Sequence, residues 1–399
     1  VRLVASLPDE YWPAYLSAST VLGLRQIKAL FSKNAQFADE RETHAAPVRT
    51  FMLGERLCRI TNKRLQYYQL FPERLDDVLS SQMRTLTKVV ERVLGSPRAF
   101  LESIPDSLRL TSGATENSPR AFSMPFHKVK GHVRVPVGAA PFVTAALAWF
   151  GLGSERLVYV KHNRIAFVLK NWKTKRTIAC EPSGLLPFQL AFDSYIKRRL
   201  LRYLGIDLSR QDRNAELARI GSIDGSVATV DLRMASDTAA LAAVHTTVSS
   251  DWWDVLKRLR CSHFKIKGQP VGRYAKFSSM GNGCTFGLET LLFSAACVAV
   301  GSKRFSVYGD DIVIETELVE SLLRLLRHIG FRHNVEKTFT AGPFRESCGG
   351  DFLNGTDVTP FYLREEAKRP HQLCLLINGL AATCQPDGEV WKVLRIITR

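Results

Sequence analysis

Acidic side chains are scarce in this chain. Only 38 Asp and Glu stand against 55 Lys and Arg over 399 residues, a formal charge of +17. Such a bias implies a polyanionic partner, for which RNA is the natural candidate. A membrane surface is the other partner such charge could serve, but no basic amphipathic helix dominates the pattern. Long hydrophobic runs are missing too. The longest apolar stretches, 139–151 and 285–301, are too short for a bilayer or carry Glu289, so both are expected in a core. The eight cysteines (Cys58, Cys180, Cys261, Cys284, Cys297, Cys348, Cys374 and Cys384) form no C-x-x-C pair. That argues against structural zinc and suits a reducing cytosol. No secretory signal, internal repeat or low-complexity tract is legible. A hydrophobic fraction of 45% can bury a large core, divided at this length among two or three subdomains.

Against that background one run stands out, Val307-Tyr308-Gly309-Asp310-Asp311-Ile312-Val313-Ile314. Aromatic and β-branched residues flank Gly-Asp, which reads as strand, tight turn, strand. Two adjacent carboxylates at the tip repel unless a cation sits between them. Carboxylate oxygens select Mg²⁺ or Mn²⁺. A plain surface turn would use the same residues, but the apolar flanks place this hairpin in a buried sheet.

A second acid source lies upstream. Val227-Ala228-Thr229-Val230-Asp231-Leu232 reads as a short strand ending in an acid, and Asp237 follows six residues later. The Ala-rich stretch 238–248 is expected to be one helix, capped by Ser236 or Asp237. An acid at a strand end facing an acidic hairpin is the arrangement of a two-metal phosphoryl-transfer site. Between the two, Lys276-Phe277-Ser278-Ser279-Met280-Gly281-Asn282-Gly283 reads as a flexible loop feeding an apolar helix that runs to about Val300. Glu289 within that helix is costly unless it is paired or faces a polar cleft.

In this order the elements resemble the palm of an RNA-dependent RNA polymerase, and more narrowly the replicase catalytic subunit of the levivirus-like positive-strand RNA bacteriophages. Asp231-Leu232-Arg233-Met234-Ala235-Ser236-Asp237 is similar to motif A, Ser278 to Gly283 with Thr285-Phe286 to motif B, and Tyr308-Gly309-Asp310-Asp311 to motif C. Lys337-Thr338-Phe339 and Gly342 to Gly349 resemble motifs D and E. Lys170 to Pro182 resembles the basic fingers motif. The fold so implied is α+β, a right-hand polymerase with fingers, thumb and an antiparallel-sheet palm flanked by helices.

The resemblance also implies roles. Asp231, Asp310 and Asp311 hold two Mg²⁺ ions (or Mn²⁺), one activating the primer 3′-hydroxyl and the other neutralising the triphosphate. Lys170, Lys173 and Arg176 grip the triphosphate. Asp237, with Asn282 or Ser279, tests the ribose 2′-hydroxyl, and Gly281 belongs to the same nucleotide-binding loop. The position where many viral polymerases carry Asn for this purpose holds Glu289, so either Asn282 or Glu289 reads the sugar. Lys337 donates a proton to pyrophosphate. Lys276, Ser278 and Gly283 contact RNA. The implied partners are template and nascent RNA, ribonucleoside triphosphates, host elongation factors Tu and Ts and a ribosomal protein, in the bacterial cytoplasm. Reverse transcriptase and a non-catalytic RNA-binding protein are the alternatives. Asp237 argues against the first and the intact acids against the second.

Along the chain, 1–222 is expected to form an N-terminal helical region and fingers, with helices around 56–68 and 75–94, a long loop over 103–138, strands over 155–180 and a helix over 183–204. Residues 223–364 form the palm, with a fingers insertion at about 252–277 and an amphipathic helix over 317–330. Residues 365–399 start a thumb that is reduced or truncated, with helices near 373–384 and 388–397.

Overall fold

The computed structural model describes residues 16–32, 40–118, 121, 123–170, 175–363 and 368–383. Lys173, the helix expected at 388–397 and most of the expected thumb lie outside them.

Amphipathic segments supply the helical frame. Helix α1 spans Ala18–Ser32, α2 Glu40–Leu70, α3 Asp77–Leu94 and α4 Pro97–Ser107. Asp76 caps α3 by accepting from Leu79 N at 3.0 Å, and Gly95 ends it at φ 64°. Its inner face buries Leu79, Leu86, Val90, Val93 and Leu94. The expected loop over 103–138 is irregular through the described residues of 108–124 but structured at both ends. Helix α4 extends into it, α5 spans Pro125–Lys130, and β1 (Val133–Pro136) pairs in parallel with β2 (Leu157–Val160). Pro97 and Pro125 stand at helix starts, where a missing N–H costs nothing, so these prolines begin helices that a composition rule takes for loop.

Helix α6 (Ala140–Trp149) leads through β2 into β3 (His162–Leu169) and β4 (Lys175–Cys180), then α7 (Leu186–Leu204) and α8 (Asp212–Asp224). Strand β5 (Val227–Asp231) begins the acidic region. After it come two short helices, α9 (Ala235–Thr238) and α10 (Leu241–His245), where the sequence led us to expect one. The break is bought by tertiary bonds: Ala240 bridges to Lys276, and Asn62 Oδ1 accepts the Ala242 N–H at 2.8 Å. Asp237 therefore lies within α9 and is not a cap.

Helix α11 (Ser250–Leu256) precedes β6 (His263–Lys265) and β7 (Gly272–Arg273), which join β3 and β4 in the order β4-β3-β6-β7. The segment 252–277 thus completes the sheet that carries the basic ribbon. Helix α12 (Thr285–Ala299) is mostly apolar and buried from Gly287 to Cys297, with Glu289, Thr290 and Ser294 as its buried polar residues. It packs against α3, α7, α13 (Val319–Ile329) and β8 (Ser306–Tyr308).

The central sheet is antiparallel, in the order β5-β9-β8, with β9 at Asp311–Glu315. Val227, Ala228, Val230, Ile312, Val313 and Ile314 are all buried, which is why these strands read as continuous apolar runs. Helix α8 packs on this sheet and on a second antiparallel one, β10 (Phe344–Ser347), β11 (Gly350–Leu353) and β12 (Thr356–Asp357). Helix α14 (Pro370–Thr383) closes the described chain, with Leu380 in a small core shared with Val21 and Leu22 of α1.

Candidate active site

Strand register brings the acids together. Asp231 pairs directly with Asp311 across β5 and β9, and Tyr308 pairs with Asp311 across the hairpin, leaving Gly309 and Asp310 as a two-residue loop. Gly309 has φ 63° and Asp310 a negative φ, the sign pattern of a type II′ turn. A Cβ at Gly309 would lie 2.6 Å from the Phe286 ring, and the Gly309 N–H donates to Thr290 Oγ1 at 3.1 Å. Helix α12 therefore fastens the acidic turn from beneath.

Burial raises the Asp231 carboxyl above the usual range, and Asp310 and Glu346 add to the rise. A hydrogen bond from Asn334 and the charge of Lys337 oppose it. Asn334 donates twice, from Nδ2 to Asp231 Oδ2 at 3.0 Å and from its backbone N to Asp231 O at 2.8 Å. Asp311 is pushed up to about 7 by burial first, then by Asp310, Asp231 and Glu346. The Cys348 thiol donates to its Oδ2 at 3.6 Å. Among the described residues no three acidic, His or Cys side chains converge into a preformed metal cage. What the sheet end offers is a set of crowded carboxylates whose mutual repulsion a hard divalent cation would relieve.

Cations approach from two directions. Lys170, the residue after β3, is exposed. Desolvation, then the charge of Arg176, lowers its pKa, with Asp231 and Asp310 opposing. Arg176 is exposed on β4. Lys337 is bound to Glu346 at 2.7 Å, and Glu346 and Asp231 hold it above the ordinary lysine range despite burial. A lysine so held is a fixed charge and a poor acid, which disfavours the proton-donor role read from sequence.

The glycine loop is mostly turned inward. Ser278 and Ser279 are buried, and the Ser278 hydroxyl bonds to Thr285 Oγ1 at 2.8 Å. Asn282 spends both ends of its side chain on backbone, accepting from Cys284 N at 2.8 Å and donating to Leu259 O at 3.4 Å. Gly283 N donates to Gln189 Oε1 at 3.2 Å. Lys276 is fully buried with its ammonium on Asp237. The expectation that Lys276 and Ser278 touch RNA is therefore corrected: both are interior. Gly281 is the exposed apex at φ 107°, where a Cβ would lie 2.3 Å from Ala179 O. Next to it, Met280 O accepts from Ala179 N at 2.7 Å, tying this loop to the basic strand β4. Gly281→Ala is expected to separate loop and strand and lower activity by about tenfold or more, measured as turnover at matched folded fraction.

Glu289 is buried on α12, with Oε1 lacking a partner. Burial, then the charges of Asp310 and Asp237, pushes its pKa well above the ordinary carboxylate value. Sequence reasoning missed Asn334, Glu346 and Glu55. Asn334 sits in a segment with no pattern of its own, and Glu346, though inside the motif E segment, acquires its role only through contact with Lys337.

The sequence matches the family model for the RNA replicase beta-chain over residues 20–391. It is 34% identical over 393 residues to the RNA-directed RNA polymerase subunit beta of Escherichia virus Qbeta, covering 96% of this chain and 64% of that protein. The corresponding subunit of Enterobacteria phage SP is 34% identical over 358 residues, with 88% and 62% covered. The beta chain of Escherichia phage MS2 is 37% identical over 246 residues, with 60% and 44% covered. The chain thus spans just under two thirds of the length of the first two relatives.

Proposed function

The chain belongs to the RNA replicase beta-chain family, and from that premise we propose that it carries the nucleotidyl-transfer centre of a template-directed RNA-dependent RNA polymerase. The observation that carries the reading is the register of Asp231 against Asp311, with Asp310 in the turn between β8 and β9. Three carboxylates at one end of the central sheet, with basic residues nearby, suit a triphosphate bound through divalent cations.

On this reading the central sheet is the palm and the sheet β4-β3-β6-β7 belongs to the fingers. Asp231, Asp310 and Asp311 would hold Mg²⁺, which supplies charge neutralisation at the attacking and leaving oxygens. Asn334 fixes the rotamer of Asp231 through Oδ2. Lys170 and Arg176 bind and orient phosphate oxygens. Lys337, held by Glu346, adds fixed positive charge near Asp231. Asp237 accepts the ribose 2′-hydroxyl. Glu289 is buried within the fields of Asp237 and Asp310, and burial with those two charges disfavours a further negative charge between them. Template and nascent RNA are the macromolecular ligands. The family premise extends the proposal to host factors Tu and Ts and a ribosomal protein, in the bacterial cytoplasm. Among the described residues no helix is long and apolar enough to cross a membrane.

The test is incorporation of labelled ribonucleotides on a single-stranded RNA template with Mg²⁺, a deoxynucleotide arm run in parallel and bacterial elongation factors supplied. Template-dependent ribonucleotide incorporation is the expected result, lost on chelation. Preference for deoxynucleotides would mean a reverse transcriptase. RNA binding without incorporation of either would mean a binding protein.

A further inference from the structure

Lys276 has an environment that a solvent-facing loop lysine lacks. It is 0% exposed, its Nζ lies 2.7 Å from Asp237 Oδ1 and 3.7 Å from Glu55 Oε1, and it sits 3.8 Å over the Phe51 ring. Tyr274 stacks further out, at 5.7 Å. A buried ammonium is tolerated only where opposite charge and hydrogen bonds compensate its lost hydration, and here two carboxylates and an aromatic face do so.

The second carboxylate comes from a distant part of the chain. Glu55 belongs to α2, is 1% exposed, and accepts the Ala275 N–H at 2.6 Å through Oε2. Its other oxygen, Oε1, has no hydrogen bond. Helix α2 meets Asp237 at two more points. A Cβ on Gly54 would lie 2.7 Å from Asp237 O, and the Cys58 thiol donates to that same carbonyl at 3.6 Å. Asn62, two turns on, donates to Ala275 O at 2.7 Å and accepts from Ala242 N at 2.8 Å, joining the segment after Asp237 to the one that carries Lys276. The helix is thus shaped around the Asp237 turn. Lys276 occupies Oδ1 of that acid, leaving Oδ2 without a hydrogen bond among the described residues.

We infer that Lys276 and Glu55 are positioning residues that fix Asp237 for recognition of a ribose 2′-hydroxyl, so that helix α2 takes part in selecting ribonucleotides over deoxyribonucleotides. The inference rests on the polymerase reading above for the identity of the ligand. Its physical basis is geometric. Oδ1 is pinned by an ammonium that itself cannot move, so Oδ2 is presented in one orientation. A hydroxyl donor gains its full hydrogen bond only when the acceptor is held in place before it arrives. Removing Lys276 frees the carboxylate to rotate and leaves Glu55 to repel it.

The test compares ATP with dATP, both as incorporation (kcat/KM) and as Mg²⁺-dependent binding read by thermal shift, in the full chain and in Lys276→Met and Glu55→Gln. Methionine fills the space without charge. Glutamine keeps an acceptor for Ala275 N, so it preserves the fold if Lys276→Met does not. The ATP-to-dATP ratio is expected to fall about tenfold or more in Lys276→Met, chiefly through ATP, and about threefold in Glu55→Gln. Parallel loss of both nucleotides at an unchanged ratio would overturn the inference and leave a purely structural ion pair. Equal binding of ATP and dATP by the unsubstituted chain would overturn it as well. Selective ATP binding without incorporation would sink the polymerase reading alone, and the binding ratios of the two variants would still decide this one.

Discussion

Asp310→Asn is expected to abolish ribonucleotide incorporation, by at least about a thousandfold in kcat, while leaving the chain folded. The substitution is nearly isosteric and sits at the second loop position of the β8–β9 hairpin, where φ is negative and any residue fits. It removes one unit of charge from the sheet end that would hold the cations. The pH dependence gives an independent check. Asp311 is raised to about 7 by burial and then by Asp310, Asp231 and Glu346. The unfolded carboxyl titrates near about 4, so the folded form holds its proton more tightly. The stability contributed by that proton is present at low pH and lost as pH rises through about 7 in the metal-free chain. Cation binding has the opposite sense, because it needs the carboxylate. Activity of the unsubstituted chain should therefore fall at low pH, with a midpoint that moves down as the Mg²⁺ concentration is raised, because cation and proton compete for the carboxylates. Metal-free Asp310→Asn should melt higher than the unsubstituted chain at pH 8, because one cause of the repulsion is gone. Calorimetry with chelator present and incorporation assays across pH read the two halves separately. Near-normal incorporation by Asp310→Asn would remove motif C from the chemistry.

Arg345→Met should have the second largest effect, and of the opposite kind: loss of stability first, activity as a consequence. Arg345 is 0% exposed. Its Nε donates to Val227 O at 2.9 Å, and its Nη1 reaches Ala341 O at 3.2 Å, Gly342 O at 2.9 Å and Phe344 O at 2.8 Å. One guanidinium therefore ties the first residue of β5 to the turn before β10, four residues from Asp231. Burial lowers its pKa, a direct sign that the site taxes the charge. Methionine fills the volume but leaves those carbonyls without their donor, for a loss of about 3–5 kcal/mol. Arg345→Lys should recover only part, since a single ammonium cannot reproduce the planar fork. Urea midpoints read the difference. A Met variant within about 0.5 kcal/mol of the unsubstituted chain would show that β5 is held by its β9 partner alone.

The parts of the site that were legible beforehand are those where local chemistry dictates geometry. Gly309-Asp310 between β-branched strands fixes a two-residue hairpin, and the hairpin fixes Tyr308 opposite Asp311. Asp231 at the end of an apolar strand was legible for the same reason. Helices α3 and α13 followed from apolar periodicity, with Gly95 and Gly330 at their ends. The rest depends on contacts between residues far apart in sequence. The stretch 238–248 has the composition of one helix, and only the Ala240–Lys276 bridge and Asn62, 180 residues away from Ala242, divide it. Lys276 and Ser278 look like solvent-facing loop residues, and nothing in their neighbours announces that Glu55 and Asp237 enclose the lysine. Asn282 carries the right functional groups for a sugar, but its backbone partners at Leu259 and Cys284 have first claim on them.

Helix α2 is built early and completed late. On a ribosome it emerges long before its partners: Ala275 is 220 residues from Glu55, and His328, whose carbonyl accepts from Arg64 at 2.8 Å, is 264 residues from that arginine. At ordinary translation rates that gap is roughly 13–50 s. During it the apolar face of the helix is covered in stages: Cys58 and Leu65 share a core with Leu79 and Leu86, whereas Phe51 waits for Ile165, Ala179, Phe264 and Tyr274. The nascent chain must pass through a period with a sticky helix exposed, and polypeptides released before residue 328 cannot close it. Chains cut short before that point lack the last partners of helix α2, so part of its apolar face stays open to contact with other chains.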